Sequence, residues 1–141
     1  MAEGSRKMKV TVDTNVLFSF FWAESFTRKI LINSSLELIT PAIALKELKK
    51  YATEICKKTK TTEKEFEEQL KNLKKIVKFI DKEDYECFLN EAEKISPDKA
   101  DSEFLALCIK NNCLLWSNDV ILTNQNKVKV VPTADIVDVL F

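Results

Sequence analysis

Residues 8–17 read MKVTVDTNVL: a short β-branched, apolar run from Met8 to Val12 stops abruptly at Asp13 and gives way to the helical spacing of Asn15–Trp22. The run suits a buried first strand, and Asp13 marks its end. Working outward, helical spacing resumes over Thr27–Ile32 with Ser25 available as its cap. Leu36–Ile39 reads as a second strand, and Thr40-Pro41 reads as a helix opening with proline at the first helical position. Leu45, Leu48, Ala52 and Ile55 then predict one long helix, and Thr62 with Glu65 stands in capping-box register for another carrying Phe66, Leu70, Leu73 and Ile76. Ile76–Ile80 reads as a short strand, and Lys82–Ile95 as a helix with Tyr85, Phe88, Leu89 and Ala92 inward. Asp101–Lys110 predicts a helix, Cys113–Ser117 and Val128–Val131 predict strands, and Thr133–Leu140 a terminal helix. Strands alternating with helices imply an α/β fold: a parallel sheet with right-handed crossovers and helices on both faces.

Composition narrows the chemistry. The chain has 141 residues, 45% hydrophobic and 31% charged, the size and balance of one domain, read here as residues 8–141 after a tail or remnant at 1–7. No uncharged apolar run approaches the ~18 residues of a membrane helix, so the chain is read as soluble, with no membrane partner, and the start of the sequence together with the cysteines reads as cytoplasmic. Histidine is absent, which excludes Ser-His-Asp triads and histidine-ligated zinc, and the single glycine, Gly4, excludes glycine-rich phosphate loops. Cys56, Cys87, Cys108 and Cys113 form no CxxC pair and read as buried free thiols of a reducing compartment.

Several acids sit where stability does not ask for them. In parallel sheets ligands bind beyond the carboxyl ends of strands, which selects Asp13 and Asp119, the latter following CLLWSN at 113–118. Asp101 precedes Phe104, Leu105 and Cys108 on the apolar face of its helix, with Asp98 three residues earlier, and Glu47 lies early in the helix after Pro41. Each has a structural alternative: Asp13, Asp98 or Asp101 capping a helix, Asp119 starting a turn, Glu47 on a solvated face. Jointly placed at one sheet edge, carboxylates without imidazole call for a hard, oxygen-seeking ion, Mg2+ or Mn2+, of the kind that activates water against a phosphodiester.

These residues resemble the PIN-domain family, in its VapC-like branch, over Met8–Phe141. The carriers are VDTNVL (12–17), PAIALKELKK (41–50), DKADSEFLALC (98–108) and LLWSND (114–119). The resemblance implies a three-layer α/β/α sandwich around a parallel sheet of four or five strands, and an Mg2+- or Mn2+-dependent ribonuclease site built from Asp13, Glu47, Asp101 and Asp119. It implies supporting roles for Asn15, Ser117 and Asp98, single-stranded RNA as substrate cut by metal-activated water to leave a 3′-hydroxyl, a homodimer, and an antitoxin partner. Two departures stand out: Asn118 where relatives often carry a small residue, and Ser117 in place of the commoner threonine.

The segment from about 41 to 80 reads as a basic helical hairpin: Lys46–Lys82 holds twelve lysines against seven acids, inside a chain whose 22 basic and 22 acidic residues balance. Lys46, Lys49, Lys50, Lys57 and Lys58 are candidates for steering RNA phosphates, against the alternative of a solvated face. Phe18, Phe20, Phe21, Trp22 and Phe26 crowd one short region, read as core packing or as a surface for a dimer mate or antitoxin. The reading is a toxin of VapBC type. Its alternatives are a PIN nuclease of RNA maturation or decay without an antitoxin, and a non-catalytic PIN-like RNA-binding module.

Overall fold

The computed structural model describes residues 8–140, so the expected tail at 1–7 lies outside the described residues. Five strands form one sheet, all pairs parallel, in the order β3-β2-β1-β4-β5: β1 (Lys9–Val12), β2 (Glu37–Pro41), β3 (Val77–Ile80), β4 (Leu114–Trp116) and β5 (Val130–Val131). The order reverses between β1 and β4. Crossovers of one hand that run outward in opposite directions from β1 lie on opposite faces, which makes a three-layer α/β/α sandwich.

The continuous apolar reading of β1 has a direct cause. Val10, Thr11 and Val12 are all buried, as a strand inside a doubly covered parallel sheet must be. Between β1 and β2 run α1 (Thr14–Phe18), a 3-10 turn (Ser19–Phe21) and α2 (Phe26–Asn33), which Ser25 caps by accepting from the Arg28 amide at 2.9 Å. Between β2 and β3 run α3 (Ile43–Lys50), α4 (Ala52–Thr59) and α5 (Glu63–Ile76), the last opened by the expected Thr62–Glu65 capping box. Before β4 come α6 (Leu89–Ile95) and α7 (Ser102–Asn111), and α8 (Thr133–Leu140) follows β5. Helix α7 packs against β1, β2 and β4, and accordingly buries Phe104 through Cys108 without interruption.

Local expectations need correction in five places. Thr40 and Pro41 end β2 rather than open a helix, and α3 starts at Ile43. The long helix breaks at Tyr51 into α3 and α4, so the basic segment is three helices between two strands rather than a hairpin spanning 41–80. Lys82–Ile95 is helical only from Leu89, the first part being two 3-10 turns around a buried Tyr85. The cysteines are free, as expected, but only Cys108 is fully buried; Cys56 and Cys113 are partly so and Cys87 is exposed. The aromatic cluster divides: Phe20 and Phe21 enter the core, while Trp22 and Phe26 remain exposed.

Candidate active site

The site forms where the strand order reverses. β1 and β4 are neighbours with Val12 level with Trp116, and the ladder continues one step as the Asp13 amide donates to the Trp116 carbonyl at 3.0 Å. Asp13 and Ser117 therefore leave the sheet side by side. Only 6% of Asp13 is exposed, and the Ser117 hydroxyl donates to Asp13 Oδ2 at 2.6 Å. Asp13 occupies the cap position of α1, yet its side chain makes no capping hydrogen bond. The same Ser117 Oγ accepts from the Asp119 amide at 3.1 Å, which fixes the backbone that carries Asp119.

Glu47 enters from α3, which packs on α1. The Thr14 hydroxyl donates to Glu47 Oε1 at 3.0 Å. Thr14, one residue past Asp13, was not among the sequence candidates; its buried position next to a strand-end acid is the signal that marks it. Asp101 ends a 3-10 turn (Lys99–Asp101) and stands at the cap position of α7, one residue before the helix that was expected to contain it. Its side chain caps nothing. Asp98 and Asp119 do fill their structural alternatives, accepting from the Ala100 amide at 3.1 Å and the Ile121 amide at 3.0 Å. Asn15 is exposed on α1.

Electrostatics ties these side chains together. Asp101 is pushed up to about 6 by partial burial and then by the negative charges of Asp13, Asp119, Asp98 and Glu47. Burial also raises Asp13, with the Ser117 hydrogen bond opposing and the Asp119 charge adding. Glu47 is raised by burial, held down by the Thr14 hydrogen bond and the Lys50 charge, and raised by Asp13 and Glu103. Glu103 is a second residue that sequence reasoning missed; it accepts a hydrogen bond from the Tyr85 hydroxyl. Carboxylates carried on separate segments are thus near enough at this sheet edge for the charges of Asp13, Asp119, Asp98 and Glu47 to act on Asp101.

Among the described residues no three His, Cys, Asp or Glu side chains stand close enough to hold a metal ion jointly. The donors at this edge are hard oxygens only, with Asp13 held by the Ser117 hydroxyl and Glu47 by the Thr14 hydroxyl. That donor set fits a partly hydrated Mg2+ or Mn2+, because Mg2+ keeps several waters and takes only one or two carboxylates directly. Cys113, just before β4, lies away from this edge: its thiol is 3.4 Å from the Thr11 hydroxyl, inside β1 rather than at its carboxyl end.

Fold and crevice define a doubly wound α/β protein with an acidic cleft at its topological switch point. The family model described as PIN domain matches residues 11–134, and the chain belongs to the PIN-domain family. Two solved structures share the fold. One is that of VapBC2 from Rickettsia felis bound to a DNA fragment from their promoter, with TM-score 0.62 and 14% identity over 89% of this chain and 98% of that one. The other is PAE2754 from Pyrobaculum aerophilum, with TM-score 0.68 and 13% identity over 94% of this chain and 89% of that one. No curated protein matches the sequence. No helix of the described residues is long and apolar enough to cross a membrane.

Proposed function

We propose that this chain is an Mg2+- or Mn2+-dependent endoribonuclease for single-stranded RNA and the toxin of a VapBC-type toxin–antitoxin pair. The observation that carries the reading is geometric: Asp13 leaves β1 beside Ser117, whose hydroxyl binds both the Asp13 carboxylate and the Asp119 amide, and Thr14 ties Glu47 to the same edge. There, partial burial and then the charges of Asp13, Asp119, Asp98 and Glu47 raise Asp101 to about 6. Membership of the PIN-domain family supports a nuclease. The fold shared with a toxin–antitoxin complex supports a protein antitoxin as partner.

Asp13, Glu47, Asp101 and Asp119 would hold the cation, which when bound would supply positive charge to activate a water and to offset charge developing on the phosphodiester. The chain's own contribution is orientation and exclusion. Ser117 and Thr14 fix the carboxylates of Asp13 and Glu47 by donating to them, so each presents its remaining lone pairs to the crevice. Asp119 is aimed by the Ser117 bond to its amide. Lys46, Lys49, Lys50, Lys57 and Lys58 are exposed on α3 and α4 and attract phosphates toward an edge that would otherwise repel them. A homodimer belongs to the same reading.

Labelled single-stranded RNA incubated with Mn2+, with chelator, and with Asp13→Asn or Asp119→Asn tests the proposal. Cleavage that requires the metal and falls at least ~100-fold in either variant is the expected result. Metal-independent cleavage, or full activity in both variants, contradicts it; RNA binding without cleavage favours the non-catalytic module.

A further inference from the structure

Beside Glu47 lies a cavity of about 410 Å3 bounded also by Asn15, by the rings of Phe18, Trp22 and Tyr51, and by Lys58. Phe18, Trp22 and Lys58 also border a larger cavity of about 770 Å3, so the two share an aromatic wall. Trp22 is 37% and Tyr51 40% exposed, whereas their aromatic neighbours Phe20 and Phe21 are buried. The Phe18 ring meets Tyr51 edge-on at 5.7 Å and braces it, and Lys50 Nζ stands 5.6 Å from the Tyr51 ring centre. Lys58 pairs with Glu54 at 3.4 Å in an exposed contact, too weak to withdraw it from a phosphate.

We infer that Trp22 and Tyr51 form a stacking subsite for an unpaired nucleobase of the RNA, adjoining the carboxylates through Asn15 and Glu47. The inference rests on the ribonuclease reading above and extends it to substrate positioning. Base-stacking platforms combine exposed aromatic rings with cations that track the backbone, which is the combination Trp22, Tyr51, Lys50 and Lys58 present. An apolar peptide would find these rings divided by Lys58, Glu54 and Asn15, and a ligand that reaches Glu47 from the cavity is already beside the crevice that takes the phosphodiester. Such stacking is indifferent to base identity, so the subsite fixes where the strand lies rather than which base is read.

The chain's two tryptophans make the test specific, because Trp116 is fully buried and Trp22 is not. Short single-stranded RNAs, one intact and others with a single abasic nucleotide at successive positions around the cut, are titrated against the Mn2+-loaded protein. The intact RNA is expected to quench Trp22 fluorescence, and one abasic position to abolish the quenching and raise KM roughly tenfold to hundredfold. Trp22→Ala and Tyr51→Ala are expected to raise KM by a similar factor with little change in kcat, Trp22→Phe to restore most of it, and the abasic penalty to vanish in Trp22→Ala. A full abasic penalty in Trp22→Ala, or variants that cleave like the parent, overturns the subsite while leaving metal-dependent cleavage in place. Absence of cleavage by the parent overturns the ribonuclease reading instead; quenching that persists there upholds the base subsite. Quenching by no oligonucleotide overturns the subsite in favour of an apolar peptide occupant.

Discussion

At the scale of single residues, Asp101 is a carboxylate whose environment opposes its charge, first through partial burial and then through its acidic neighbours. An acid whose pKa rises on folding makes the folded chain hold its proton more tightly. The contribution of Asp101 to the stability of the metal-free protein is therefore fully present below the ordinary carboxylate range and is lost as pH rises through about 6. Asp101→Asn removes that repulsion and is expected to stabilise the metal-free protein at pH ~7.5 by ~1 kcal/mol, after allowance for solvent screening of a half-exposed group, and by less at pH ~5. Thermal melts at the two pH values check this, and the same variant is expected to lose metal-dependent cleavage. Ser117 carries the opposite sign. Ser117→Ala leaves the buried Asp13 carboxylate without its donor and is expected to cost ~1–3 kcal/mol and to weaken cleavage at least ~10-fold, with Ser117→Thr restoring both. The strand-end acids were legible because a run such as MKVTV cannot continue through aspartate. Thr14 and Glu103 were not, because a hydroxyl or a helical glutamate acquires its role only when α1, α3 and α7 come together.

Among the elements, legibility followed the strength of local rules. The capping box of α5 and the Ser25 cap of α2 are satisfied within four residues of chain, and both stand as read. Thr62→Ala is expected to destabilise the fold by ~1 kcal/mol, measured by urea unfolding, with cleavage per folded molecule unchanged. Thr40-Pro41 defeats the local rule for tertiary reasons. Thr40 is buried and its hydroxyl donates to the Val12 carbonyl at 2.8 Å, so it ties the end of β2 to the end of β1 instead of capping a helix. Pro41 is tolerated as the last strand residue because the next amide, that of Ala42, makes the bond to the Ile80 carbonyl at 2.8 Å. Lys60 ends α4 in the left-handed region at φ 58°, where a side chain is unfavourable. Lys60→Gly is expected to raise the melting temperature modestly, since glycine meets no Cβ penalty there.

Over the whole molecule, zero net charge conceals an uneven distribution: acids gather at the β1–β4 edge while exposed lysines outnumber acids on α3 and α4. Strand count, parallel pairing and helices on both faces follow from the alternation of elements. The reversal of strand order beside β1 does not, because pairing between chain segments a hundred residues apart leaves no local mark. That reversal is what turns separate strand-end acids into one crevice. The lysines lead to an expectation of scale: kcat/KM for RNA falls steeply as salt rises, because phosphate contacts release counterions. The central claim is that the crevice holds a divalent cation, and Mn2+-soaked crystals examined at the manganese absorption edge test it most directly. The expected result is an anomalous peak ~2.1 Å from carboxylate oxygens of Asp13 and Asp119, with Glu47 and Asp101 around its water shell, absent in Asp13→Asn. A peak bound elsewhere, or one that persists unchanged in Asp13→Asn, contradicts the account.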